Sequence, residues 1–189
     1  MRYVRAMKST PLISEELCIS IVGMAAAGKT RMGAEIAKIL GWAHVDADHL
    51  IESAYGVRLQ EITDAMSKEE FLELEGTVIK GIRLKRAVLS TGGSVIYREE
   101  AVEHLKRLGP IIYLDVPLEI ILERIARKPD RGLAIAPGQT IEDLFNERRL
   151  LYRKAAQITV QGGEDTPHTY ASEAVRLLED YFNTNREAS

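Results

Sequence analysis

The chain has 189 residues, of which 46% are hydrophobic and 28% charged, with 25 basic against 28 acidic side chains and a net charge of −3. This size suits one domain that buries most of its apolar surface, and the composition excludes an intrinsically disordered chain. The slight acidity gives no broad basic face, so nucleic acid is not expected as a partner, and no apolar run approaches the roughly 18 residues of a membrane span.

Residues 1–16 carry Arg2, Arg5 and Lys8 without a secretory apolar core, and read as an N-terminal extension to a single domain over 17–189. A cytoplasmic location is the default expectation. The one cysteine, Cys18, falls in an apolar run and reads as a buried small hydrophobe in a reducing compartment.

Leu17 to Val22 has the length and β-branched content of a buried parallel strand. Gly23-Met24-Ala25-Ala26-Ala27-Gly28-Lys29-Thr30 follows, then a helical pattern from Arg31 to Leu40 that stops at Gly41. Strand, G-x-x-x-x-G-K-[ST] and helix in that order predict a phosphate-binding loop. Its glycines let successive N–H groups turn inward on an anion, and the helix adds its unpaired N–H groups. Lys29 is expected to reach the β- and γ-phosphates of a nucleotide, and Thr30 to offer a hydroxyl to Mg²⁺.

Trp42 to Val45 predicts a second strand with Asp46-Ala47-Asp48 at its C-terminal end, the edge where open parallel sheets bind ligands. His49 to Tyr55 continues as a short helix. Leu59 to about Lys85 is helical with a break near Ser67-Lys68, so a helical insertion spanning about 48–85 separates the second strand from the third at Arg86 to Ser90. Thr91-Gly92-Gly93-Ser94 ends that strand. Glu99 to Leu108 is a helix, Ile111 to Asp115 a fourth strand, and Pro117 starts the next helix. Residues 127–138 form a polar loop with Pro and Gly, Thr140 to Ala156 a charged helix, Ile158 to Val160 a last strand, and Thr166 to Phe182 a closing helix. The sum is an α/β protein: a five-stranded parallel sheet in a three-layer α/β/α sandwich.

A phosphate loop leaves open hydrolysis, signalling and phosphoryl transfer. Asp46 and Asp48 alternate along a strand end, so one is expected to face the metal and the other an acceptor hydroxyl, whose proton a carboxylate can take. Gly92-Gly93 lets backbone approach a ligand. Arg127, Lys128 and Arg131 could close over a triphosphate and offset charge in the transition state. Tyr152-Arg153 lies late in a charged helix, where a surface ion pair is the ordinary reading. His44, His49, His104 and His168 show no metal-ligand spacing.

In this order, G-M-A-A-A-G-K-T, W-A-H-V-D-A-D, E-E-F-L-E-L-E, T-G-G-S-V, I-Y-L-D, R-K-P-D-R-G-L and L-L-Y-R-K-A-A resemble the shikimate kinase family of P-loop enzymes, over about Leu17 to Val160. The resemblance implies the P-loop NTPase fold with sheet order 2-3-1-4-5, and a cytoplasmic, monomeric small-molecule kinase of amino-acid biosynthesis. ATP with Mg²⁺ would sit on Gly23 to Thr30 and Arg31. Asp46 would hold the metal through water, and Asp48 would contact the acceptor hydroxyl. Lid residue Arg131 would assist transfer, Arg127 would lie near the adenine, Gly92 and Gly93 would line the acceptor pocket, and Arg153 would pair with the acceptor's carboxylate.

The family's E-E-x-F-R-x-x-E carries an arginine that clamps the shikimate carboxylate; this chain has Leu72 there, keeps Glu75, and has Ala26 at the loop's usual internal glycine. Losing one clamp arginine weakens carboxylate binding. Two acceptors stay open. In one, Glu75 is a free carboxylate that takes an ammonium, and the acceptor is a hydroxy amino acid such as homoserine. In the other, the acceptor is shikimate, with Arg83 or Arg98 recruited. A gluconate-type sugar-acid kinase and a non-catalytic nucleotide-binding homologue are the wider alternatives. No N-K-x-D-type motif supports a GTPase.

Overall fold

The computed structural model describes residues 13–127, 135 and 138–187. Strand β1, Cys18–Val22, is buried at every position, which is why it reads as a mostly apolar run, with Ser20 its one polar residue, rather than an alternating one. Burial pushes the Cys18 thiol up to about 12, so it is an inert packing group. The other strands are β2 (Ala43–Asp46), β3 (Ala87–Ser90), β4 (Ile111–Asp115) and β5 (Ile158–Gln161). All pair in parallel, in the order β2-β3-β1-β4-β5, with Ser20 of β1 level with Leu89 and Ile111.

The helices are α1 (Lys29–Leu40), α2 (Ala47–Tyr55), α3 (Leu59–Ala65), α4 (Lys68–Gly81), α5 (Glu99–Leu108), α6 (Leu118–Ala126), α7 (Ile141–Ala155) and α8 (Pro167–Glu187). α1 and α8 pack together on one face of the sheet, and α4 and α5 pack together beside the opposite face. The central core runs through β1, β3 and β4, while Ile51, Ile62 and Phe71 form a separate apolar cluster that joins α2, α3 and α4. Ile13, within the stretch read as an extension, is buried in the main core; residues 1–12 lie outside the described residues.

Local signals set the helix starts that frame the site. Ser67 Oγ accepts from Glu70 N at 3.3 Å while Glu70 Oε2 accepts from Ser67 N at 2.8 Å, a reciprocal cap that produces the break before α4. Thr140 and Asp143 make the same arrangement at α7. A short 3₁₀ turn over Val95–Tyr97, which the sequence reading does not anticipate, carries the chain from β3 into α5.

Among the described residues, no helix is long and apolar enough to cross a membrane.

Candidate active site

The loop after β1 is shaped by close approach and unusual backbone. A Cβ on Gly23 would stand 2.8 Å from the Leu114 carbonyl oxygen, so no side chain fits there. Gly28 enters α1 at φ 106°, and Ala26 holds the left-handed region at φ 62°, where an alanine is disfavoured by about 1–2 kcal/mol. Lys29 Nζ donates to the carbonyls of Gly23 and Met24, both at 2.9 Å, and so lies across the loop's mouth. Desolvation lowers its pKa to about 8, against the pull of Asp48, Asp46 and Glu75.

The two aspartates are not arranged as the sequence predicts. β2 passes directly into α2, so Asp48 sits in the first turn of the helix and does not alternate along a strand. Asp46 is the N-cap: its Oδ1 accepts from Asp48 N at 3.0 Å, and its Oδ2 accepts from Thr30 Oγ1 at 2.7 Å. Thr30 and Asp46 are thus a preformed pair of hard oxygen donors that could hold Mg²⁺ directly or through its water. Burial raises the Asp48 pKa, with Lys29 opposing.

Across the cavity, Glu75 of α4 is 1% exposed and its Oε2 accepts from Ser94 Oγ at 2.6 Å. Desolvation lifts its pKa to about 7 despite that hydrogen bond. Its other oxygen faces the Gly92 backbone. A Cβ on Gly92 would lie 1.8 Å from Glu75 Oε1 and 3.1 Å from Asp48 Oδ1, so Gly92→Ala must expel the Glu75 carboxylate. That substitution should destabilise the fold by about 1–3 kcal/mol in urea unfolding; an unchanged midpoint would mean the contact is looser than described.

Arg148 of α7 is 2% exposed. A Cβ on Gly93 would stand 3.1 Å from its Nη1; its Nε donates to Tyr97 Oη at 3.3 Å, and the guanidinium lies 5.2 Å from the Tyr97 ring centre. Tyr152, one turn on, donates to the Gly93 carbonyl at 2.6 Å, and Thr91 Oγ1 donates to the Ile21 carbonyl at 2.9 Å. The Thr91–Ser94 turn is therefore held from both sides.

All of this opens on one cavity of about 620 Å³. Ala25, Ala26, Ala27, Gly28, Lys29, Thr30 and Arg31 form one wall; Asp46, Asp48, Glu75, Gly92, Gly93 and Arg148 form another. Arg124, Asp165, Pro167 and Tyr170 line the end beyond the loop, where Arg124 donates to the carbonyls of Ala27 at 2.9 Å and Gly163 at 2.7 Å.

The shikimate kinase family model matches residues 25–179. The chain belongs to the shikimate kinase family. A shikimate kinase from Thermodesulfovibrio yellowstonii is 33% identical over 168 residues, covering 87% of this chain and 96% of that protein. Among solved structures, shikimate kinase from Acinetobacter baumannii in complex with shikimate matches at TM-score 0.80 and 32% identity, over 88% of this chain and 96% of that one. The shikimate kinase of Aquifex aeolicus matches at TM-score 0.73 and 30% identity, over 87% and 98%. As a shikimate kinase family member the chain is a phosphotransferase that acts on a hydroxyl group and uses ATP and Mg²⁺, and the loop with its Thr30–Asp46 pair fits both. A gluconokinase from Sinorhizobium meliloti, at 15% identity and TM-score 0.55, shares the fold.

Several residues predicted for the site fall elsewhere. Arg153 is not at the cavity: it is half-exposed and pairs with Asp115 at 3.1 Å. On a helix it is rotated about 100° from Tyr152, whereas Arg148 is one turn away on the same buried stripe as Leu144 and Tyr152. Leu72 is buried and does not line the cavity. Glu75 does line it, but its hydrogen bond to Ser94 and its raised pKa replace the free carboxylate expected there. The side chain of Met24 belongs to the core, and only its carbonyl serves the loop. Arg127 closes α6 at the cavity rim with its guanidinium on Glu123, while Arg124 bridges the two backbone segments. Lys128 and Arg131 lie outside the described residues.

Proposed function

We propose that this chain transfers the γ-phosphoryl group of ATP to a ring hydroxyl of shikimate, giving shikimate 3-phosphate and ADP. In this reading the hydroxyl oxygen bonds to the γ-phosphorus as the bond to the β–γ bridging oxygen breaks, and Asp48 takes the hydroxyl proton. Lys29 and the loop amides hold the phosphates, and Arg124 with Pro167 and Tyr170 flanks the base. Thr30 and Asp46 would hold Mg²⁺, which would supply positive charge against the phosphates. Gly92 and Gly93 give backbone access to the acceptor, and Arg148 takes its carboxylate.

The observation that supports this acceptor most directly is Arg148, a buried guanidinium against Gly93 in the same cavity as Asp48. An anionic acceptor held there lies across from the loop. The relative solved with shikimate adds to this. Homoserine loses its basis, because the carboxylate expected to be free for an ammonium is buried and accepts a hydrogen bond from Ser94, with desolvation raising its pKa.

An acceptor panel read by ADP release tests the reading. Shikimate should turn over, and gluconate and homoserine should not. Turnover of either of those with none of shikimate overturns it.

A further inference from the structure

An acceptor carboxylate in this cavity must be held close to two acidic side chains, Asp48 and Glu75. Arg148 supplies one cation. The position that would carry a second, Leu72, is buried away from the cavity. The two arginines named from the sequence as substitutes are engaged elsewhere. Arg83 donates to the carbonyls of Lys80 at 2.6 Å and Ile82 at 2.8 Å, and Arg98 pairs with Glu69 at 2.6 Å and Glu73 at 3.5 Å. Neither lines the cavity.

Arg58 does. It is the residue before α3, it lines the cavity together with Phe71 and Glu75, and among the described residues its guanidinium makes no ion pair and no hydrogen bond to another side chain. The carboxylates nearest to it along the chain are already engaged with backbone. Glu52 Oε1 accepts from Leu59 N at 3.0 Å, and Glu61 Oε1 accepts from the Arg58 amide at 3.4 Å. These contacts fix the head of α3 at the cavity edge and leave the Arg58 guanidinium for an anion.

We propose that Arg58 is the second cation on the acceptor's carboxylate, placed at the head of α3 where the family resemblance would put it on α4. The assignment rests on the acceptor reading above. A guanidinium matches a carboxylate with two parallel N–H donors, and such pairs are strong and geometrically particular. With Arg148 from α7 on one side and Arg58 on the other, the acceptor's charge is turned away from Glu75, and its hydroxyl is left to Asp48.

Steady-state kinetics of the full chain, Arg58→Ala and Arg58→Lys, on shikimate and on shikimate methyl ester, test this. Arg58→Ala should raise KM for shikimate about 10- to 100-fold, leave KM for ATP within about twofold, and leave kcat/KM on the uncharged ester close to the unsubstituted value. Arg58→Lys should recover part of the loss. An unaltered KM for shikimate, or an equal loss on acid and ester, overturns the assignment and leaves the acceptor reading standing. No turnover of shikimate by the unsubstituted chain removes the acceptor reading and this assignment with it.

Discussion

Lys29→Ala should lower phosphoryl transfer by about 10³-fold, the effect of removing a fixed charge from the developing negative charge of the transition state. Lys29 already lies across the loop with both of its carbonyl contacts at 2.9 Å, so little rearrangement is needed for it to meet a phosphate. The fold should survive. Desolvation of the ammonium opposes folding at neutral pH, so its removal should leave the melting temperature unchanged or slightly raised. The same group sets a pH signature. With a pKa of about 8 against 10.5 for an ordinary lysine, the free enzyme loses this proton first, and kcat/KM for ATP should fall as pH rises through about 8. Between those two values the unfolded chain binds more protons at this site, so the difference in stability between the parent and Lys29→Ala should shift in the parent's favour as pH rises. A variant with more than a tenth of parental turnover would remove Lys29 from the chemistry.

Asp48→Asn should lower kcat by about 10²–10⁴-fold with KM for ATP little altered, the range for a positioned proton acceptor. Asparagine keeps the size of the side chain, and the backbone bond from its N–H to Asp46 Oδ1 is unaffected. Loss of function would therefore report the charge. Burial raises the Asp48 pKa toward neutrality, which brings it closer to the pH at which an acceptor of protons works best. The parent should accordingly lose activity as pH falls through the raised pKa. Near-normal turnover of Asp48→Asn would assign the proton to another group.

The elements that carry function by strong local pattern are legible in the sequence. A short, mostly apolar strand followed by Gly23–Thr30 has few physical readings, and the structure matches it closely. The same holds for the break near Ser67-Lys68, where the structure shows a reciprocal cap. What the sequence obscures is rotation about helices and the junctions between elements. Asp46 and Asp48 read as a strand end because a single residue separates them, yet Asp46 caps a helix that begins at Ala47. Tyr152-Arg153 draws attention as a pair, while the buried guanidinium is Arg148, four residues earlier and on the Tyr152 face. That face is recoverable from the spacing of Leu144, Phe145, Arg148, Tyr152 and Ala155, a stripe in which a charged residue stands out. Arg124, Asp165, Pro167 and Tyr170 come together only through tertiary folding, and α6 and α8 offer no local hint that they meet at the loop.

Asp46 gives the molecule a mechanical property. One of its oxygens is fastened to the beginning of α1 and the other to the beginning of α2, on strands that β3 keeps apart. Both helix starts thus share one anchor, and the carboxylate that would help hold the metal is the same one that caps the helix bearing Asp48.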